Sequence, residues 1–510
     1  MTKKIEPLII ILAVLKLVLP FLFIHSAYEL QRDEYLYFEQ GHHLAFGFLE
    51  NPPLIGLLSR ISSLAGNSII AIKFWPALIG ALTLLLTAAI TKELGGQRFA
   101  QFLAALSMLL TAYLRIHILY QPNSLEIFAW CLSIYFLLRY CNSKQDKYLY
   151  FLAFAMALGW WGKYSILFLA IAFLLAVLLS SYRKLYLNKH FWLAFLMGVV
   201  LIAPNILWQW NHNWPLVHHM NELRDTQLKY INKADFIKDQ LLMLLPYLPI
   251  WIWGLTWLLR HKTYSILAYI YILFIGLLMF GSGKGYYALG AYPMLIAAGC
   301  VAIEKFSVNK YWFRYAITAL VLILGLPVVP LLLPVYSPVE MSRFNKRHNI
   351  EALGMLKWED QENHPLQQDY ADMIGWKELA TKANKAYQQL PESTRAQTVI
   401  YCRNYGQAGA LKFYGPVGFR DKVISDNGTF LLWIPEDLHF KNLLFVGSHM
   451  PDKDDEVFQH FNTVRVMDSI TNALSRQYGD KIILFEHADS LAFQLANTGL
   501  KEMKKQFQRH

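Results

Sequence analysis

The chain has 510 residues, of which 55% are hydrophobic, 15% aromatic and only 16% charged, with a mean hydropathy of +0.29. This argues against a string of soluble domains and points to a polytopic membrane protein. A net charge of +11 would suggest nucleic acid in a soluble protein, but the basic residues fall in short clusters between apolar runs, as topology-setting charges do, and no nucleic-acid partner is expected.

Met1-Thr2-Lys3-Lys4 precedes an apolar run over 7–24 that is too long for a cleaved signal, so it reads as a retained first span. Windows of roughly 17–25 apolar residues place further spans at 68–90, 99–114, 120–138, 148–161, 164–179, 191–208, 241–259, 264–280, 286–303 and 312–333. That makes about eleven transmembrane helices, and 148–161 is short enough to be half of a broken pair around Trp160-Trp161-Gly162-Lys163. With a cytoplasmic N-terminus, the cytoplasmic connectors 92–98, 139–147, 183–189, 260–262 and 305–314 are all basic. The external segments are then 24–67, 115–119, the Gly162-Lys163 turn, 210–240, 281–285 and everything after Pro334.

The Pro-led stretch 52–61 suits a helix lying in the membrane interface. Beyond Pro334 the composition turns polar. There 371–390 reads as an amphipathic helix, and 398–402, 442–446 and 481–485 read as buried strands. The expected organisation is a membrane domain over 1–334, with an external first loop at 25–67, and a small extracytoplasmic α/β domain over 335–510. Cys131 and Cys300 lie in apolar segments, Cys141 in a basic connector and Cys402 alone, so neither a disulfide framework nor metal-ligand spacing follows.

Candidate chemistry begins at Gln31-Arg32-Asp33-Glu34-Tyr35-Leu36-Tyr37, where two adjacent carboxylates stand just outside a span. Taken alone they read more readily as solvated loop acids. Group transfer to a hydroxyl or amine needs a base for the acceptor and cations for a phosphate leaving group. Asp33 or Glu34 would supply the first, and Lys284, Arg224, Lys163 and Arg115 the second. In Gly281-Ser282-Gly283-Lys284-Gly285-Tyr286-Tyr287 the glycines permit close backbone approach, Lys284 is a compact phosphate-binding charge, and Tyr286 and Tyr287 offer hydroxyls and ring faces. The P-loop spacing is absent.

Glu126 lies about one turn into the fourth span, after Pro122-Asn123-Ser124, and needs a cavity or a partner such as Arg115. A divalent metal bridging Asp33, Glu39 and a histidine would neutralise a leaving phosphate. His42, His43, His212, His218 and His219 match no ligand set, however, and no cofactor is expected. The aromatic run 208–215 reads as an interfacial belt.

Asp33-Glu34 in a first external loop, then Glu50-Asn51-Pro52-Pro53-Leu54, Gln121-Pro122-Asn123-Ser124-Leu125-Glu126, and Lys284-Gly285-Tyr286-Tyr287 ahead of Tyr292-Pro293, resemble a known family. It is the bacterial protein-mannosyltransferase-like and aminoarabinose-transferase-like enzymes of glycosyltransferase family 39 and its relatives, which have the C-type fold. Asn404-Tyr405-Gly406-Gln407-Ala408-Gly409-Ala410 with Phe413-Tyr414-Gly415 resembles the C-terminal domain of many such proteins. The resemblance implies a polyprenyl-phosphate-sugar donor, a lipid, glycan or protein acceptor at the external face of the inner membrane, and inverting transfer. It gives Asp33 the role of base with Glu34 as a supporting acid, and the Lys284, Tyr286 and Tyr287 turn the donor phosphate. Asn51 stands where the aminoarabinose branch commonly has Lys, which argues against that sugar on lipid A. Metal is not a general requirement in this branch. The competing class is a transporter or flippase for a lipid-linked or anionic solute, against which the charges gather on one face rather than at mid-span. A membrane-anchored scaffold or sensor is a third.

Overall fold

The computed structural model describes residues 6–226, 232–451 and 456–509. Every predicted span is helical among these residues. Among the described residues five helical stretches are long and apolar enough to cross a membrane: Ile69–Glu93, Pro122–Ser143, Lys189–Asn211, Gly285–Phe306 and Tyr311–Leu332. The window 241–259 is a pair, Lys233–Leu242 and Leu245–Arg260, bent by 73°. Pro7–Phe23, Arg98–Leu110, Ile166–Leu179 and Ser265–Phe280 are shorter apolar helices.

The chain divides into two compact units, one of residues 1–23, 73–206 and 220–333, the other of 24–72, 207–219 and 334–510. The first external loop thus groups with the C-terminal residues.

In the first unit Tyr292–Phe306 is the innermost helix, buried along almost its whole length. Its neighbour Leu248–Arg260 approaches it backbone to backbone: a Cβ on Gly254 would fall on the Leu295 carbonyl, and one on Gly299 on the Ile250 carbonyl. Small residues that let backbones meet are how helices gain packing energy where lipid removes the hydrophobic drive. Glu304 closes the C-terminal end of this helix, accepting from the backbone N–H groups of Gln97 (2.6 Å) and Ala100 (3.0 Å) at the start of Arg98–Leu110.

The second unit holds a five-stranded sheet: β1 (Thr398–Cys402), β2 (Val423–Ile424), β3 (Asn442–Gly447), β4 (Phe461–Ser469) and β5 (Lys481–Ala488), in the order β2-β1-β3-β5-β4. β1 runs parallel to β2 and β3, and β5 antiparallel to β3 and β4. The three predicted strands are β1, β3 and β5, whose apolar runs are buried. The predicted helix over 371–390 begins only at Trp376, because Gly375 has φ +92° and packs on Ser475. Helix Arg32–Gln40 lies on helix Tyr405–Tyr414, where Gly409 gives Tyr35 its place. The Tyr35 ring then meets those of Trp376 (5.5 Å) and Phe413 (5.8 Å) edge-on.

Candidate active site

Helix Arg32–Gln40 separates the two adjacent acids by giving them different partners. The Gln31 side chain accepts from the Asp33 N–H (2.9 Å), while the Glu34 carboxylate reaches back to the Gln31 N–H (2.6 Å), a capping box. Glu34 is fully buried and fastens the helix start. Asp33, with a side chain 25% exposed, keeps access to solvent. Both stand in the first turn, where the helix dipole favours negative charge.

Asp33 Oδ1 accepts from the Tyr405 hydroxyl (2.7 Å) and from Arg32 Nε (3.3 Å). Tyr405 is the first residue of its helix, which is capped by Asn404 on the Gln407 N–H (2.9 Å). Its own N–H donates to Asn427 Oδ1 (3.2 Å). The Arg32 guanidinium lies 5.7 Å from the Tyr405 ring centre, and Gly406 leaves room for the Arg32 stem. Alongside, Arg476 joins Asp372 (3.0 Å) and Glu359 (2.8 Å). Burial pushes the Asp372 carboxyl up to about 6, against the pull of Arg32 and Arg476.

Glu39, on the same helix, contacts His42 (3.4 Å), His43 (3.4 Å) and Lys412 (3.2 Å). Burial opposes its ionisation, but these partners prevail and hold the carboxyl well below its ordinary range. His212 stacks on Trp208 (4.1 Å), and His218 meets the edge of Phe507 (5.7 Å). Among the described residues no three His, Cys, Asp or Glu side chains gather as a metal site. Asn51 is buried and exchanges two amide hydrogen bonds with Gln40 (2.9 and 3.0 Å), so it ties the loop before the Pro-Pro pair to the helix that carries Asp33.

In the first unit a second group forms around Lys163. Helix Lys147–Gly162 ends at Gly162, which sits against Leu125, and Lys163 follows in extended conformation. Its Nζ donates to Asn123 Oδ1 (2.6 Å), pairs with Glu126 Oε2 (3.3 Å), and lies 4.3 Å from the Tyr287 ring centre and 5.5 Å from that of Tyr286. Glu126 also accepts from the Ser165 hydroxyl (2.6 Å). Its partners are thus Lys163 and Ser165 rather than Arg115, the example the sequence suggested, because the turn after Gly162 returns to the N-terminal end of Pro122–Ser143. Arg115 lies in the one-turn helix Tyr113–Ile116.

Lys284 caps the 3-10 helix Gly285–Ala291, its carbonyl accepting from the Tyr287 N–H (3.0 Å). Gln240 fastens that turn, donating to the Gly285 carbonyl (3.1 Å) and accepting from the Tyr292 hydroxyl (2.9 Å). Arg224 stands exposed on helix Pro215–Thr226 beside Asp225 (3.5 Å), outside this group.

The structure therefore brings together Lys163, Glu126, Asn123, Tyr286 and Tyr287, and separately joins Asp33 to Arg32 and Tyr405. Sequence reasoning missed Tyr405, Arg32 and Ser165 as partners. Tyr405 stood within the quoted motif 404–410, but nothing linear ties it to a residue 372 positions away.

Residues 50–208 match the family described as dolichyl-phosphate-mannose-protein mannosyltransferase. No curated protein sequence matches the chain. Among solved structures, ArnT from Cupriavidus metallidurans bound to undecaprenyl phosphate aligns at TM-score 0.63 and 14% identity, over 95% of this chain and 98% of that one. Its apo state gives 0.61 and 13%, over 94% and 97%. The oligosaccharyltransferase AglB from Archaeoglobus fulgidus gives 0.48 and 13%, over 86% and 69%. Residues 50–208 thus resemble the protein-mannosyltransferase family model, within a chain that shares the fold of ArnT.

Proposed function

We propose that the protein is a multi-pass enzyme of the bacterial inner membrane that transfers a sugar from a polyprenyl-phosphate donor to a lipid, glycan or protein acceptor at the external face. The observation that carries this reading is the accessible Asp33 carboxylate, held on one side by the Tyr405 hydroxyl (2.7 Å) and Arg32 (3.3 Å) at a helix N-terminus. The undecaprenyl phosphate bound to ArnT, which shares the fold, supports the donor class.

In the reaction Asp33 takes the proton of the acceptor hydroxyl or amine as that atom attacks the anomeric carbon. The bond from that carbon to the phosphate oxygen breaks, configuration inverts, and polyprenyl phosphate leaves with one more negative charge than the donor phosphodiester carried. That developing charge calls for cations fixed in advance. We assign that role to Lys163, held by Glu126 and Asn123, with Lys284 on the turn that carries Tyr286 and Tyr287. Glu34 supports the site by fastening the helix.

The test uses purified protein in nanodiscs with a panel of polyprenyl-phosphate sugars and membrane extract as acceptor. Wild type should release polyprenyl phosphate coupled to sugar transfer, and Asp33→Asn should lose about 10²–10⁴-fold in rate while remaining folded. A fully active Asp33→Asn, or no donor consumed by wild type, overturns the proposal.

A further inference from the structure

The second unit contains a cavity of about 250 Å³ that the transfer reaction does not use. Its floor is the sheet face bearing Tyr401, Ile424 and Leu443, and its opposite wall is helix Ser490–Lys505. The lining is aliphatic and aromatic except at one end, where Arg403 and Asp426 stand beside Tyr401. Arg403 is exposed and reaches solvent.

Gly499 is the one glycine of that helix, and it lines the cavity. A glycine inside a helix weakens it, and here a Cβ would meet no atom within 4 Å, so packing against the sheet does not require the residue. What its missing side chain leaves is open volume. Apolar cavities of about 150 Å³ already take up benzene-sized guests, and a pocket with polar groups only at one end orients an amphiphile.

We propose that this cavity binds the chain of a single-chain anionic amphiphile, with the chain between sheet and helix and the head group beside Arg403. This site stands independently of the transferase reading. A carboxylate or a phosphate head would offer the guanidinium the same chemistry.

The experiment uses the full-length protein in nanodiscs and a decanoic acid carrying a diazirine near its methyl end, with labelled peptides identified by mass spectrometry after irradiation. Labelling should map to 490–505 and be displaced by decanoate or decyl phosphate, and the better competitor identifies the head group. Gly499→Leu fills the volume and should cut labelling about tenfold, whereas Gly499→Ala should keep it and report that the helix is intact. Arg403→Gln should weaken displacement by the charged competitors and leave displacement by decanol unchanged. Labelling confined to the membrane helices, or undiminished in Gly499→Leu, makes the cavity a packing void and overturns the proposal.

Discussion

Replacing Lys163 with Met separates its structural work from its proposed role at the donor phosphate. Lys163 and Glu126 have side chains only 19% and 5% exposed, and without the ammonium Glu126 keeps the Ser165 hydroxyl alone. Removing one partner of a buried ion pair costs about 3–5 kcal/mol, because the remaining charge stays desolvated. With Lys163 partly exposed, the lower end applies, about 3 kcal/mol. In Lys163→Met/Glu126→Gln the stranded charge is gone and the amide still accepts from Ser165, so stability should return to within about 1 kcal/mol of wild type. Donor affinity should not return, since no cation replaces Lys163. Thermal unfolding in nanodiscs reads the first quantity, and equilibrium binding of polyprenyl phosphate the second. A double variant as unstable as the single one would refute the ion-pair argument, and one with wild-type donor affinity would remove Lys163 from the phosphate site.

Tyr405→Phe deletes the 2.7 Å hydrogen bond to Asp33. Single-turnover kinetics should show a rate about ten- to a hundredfold lower with donor KM unchanged, the mark of a positioning residue; an unchanged rate would show that Asp33 needs no such support. Gly299→Ala puts a Cβ on the Ile250 carbonyl and should cost about 1–3 kcal/mol or more, seen as a lower Tm, whereas an unshifted Tm would mean that the two helices separate freely. Asp480, buried and accepting from Gln407 (2.7 Å), has its carboxyl pushed up by burial to about 6. Its protonated form is favoured in the fold, so that contribution is complete below the unfolded pKa near 4 and is lost as pH rises through 6, by up to about 3 kcal/mol. Asp480→Asn should flatten the stability profile between these values, and a slope identical to wild type would contradict the assignment.

Much of this architecture was written in the sequence wherever a lipid-spanning or fully buried segment demands an unbroken apolar run. Hence the windows over the membrane helices and β1, β3 and β5 were legible. β4 was not, because an edge strand with exposed Val464 and Val466 among polar neighbours carries no buried face to mark it. β2 has only two residues. Within the site, Asp33 and Lys163 could be named from charge at a membrane boundary. The difference between Asp33 and Glu34 came only from the resemblance, since physically it rests on which carboxylate turns back to cap its own helix. The partner of Glu126 was missed for a related reason: Arg115 is nearer along the chain, but the turn after Gly162 sets which ammonium arrives.

Lys16 shows how charge within a span is to be read. It stands in the middle of Pro7–Phe23, fully buried, where an ionisable residue is a functional candidate by default. Its Nζ instead donates to the carbonyls of Met108 (2.7 Å) and Tyr113 (3.0 Å), and Lys73 donates to the carbonyl of Ile118 (3.0 Å). Met108 is among the last four residues of Arg98–Leu110, whose carbonyls lack helical partners, and Ile118 lies in the irregular stretch before Pro122. Away from water such carbonyls must be satisfied by the protein. Both lysines therefore secure the break between two helices, whereas Lys163 faces a carboxylate, an amide and two aromatic rings. Lys16→Met should lower Tm without altering donor affinity, and a loss of affinity at unchanged Tm would place Lys16 in the reaction instead.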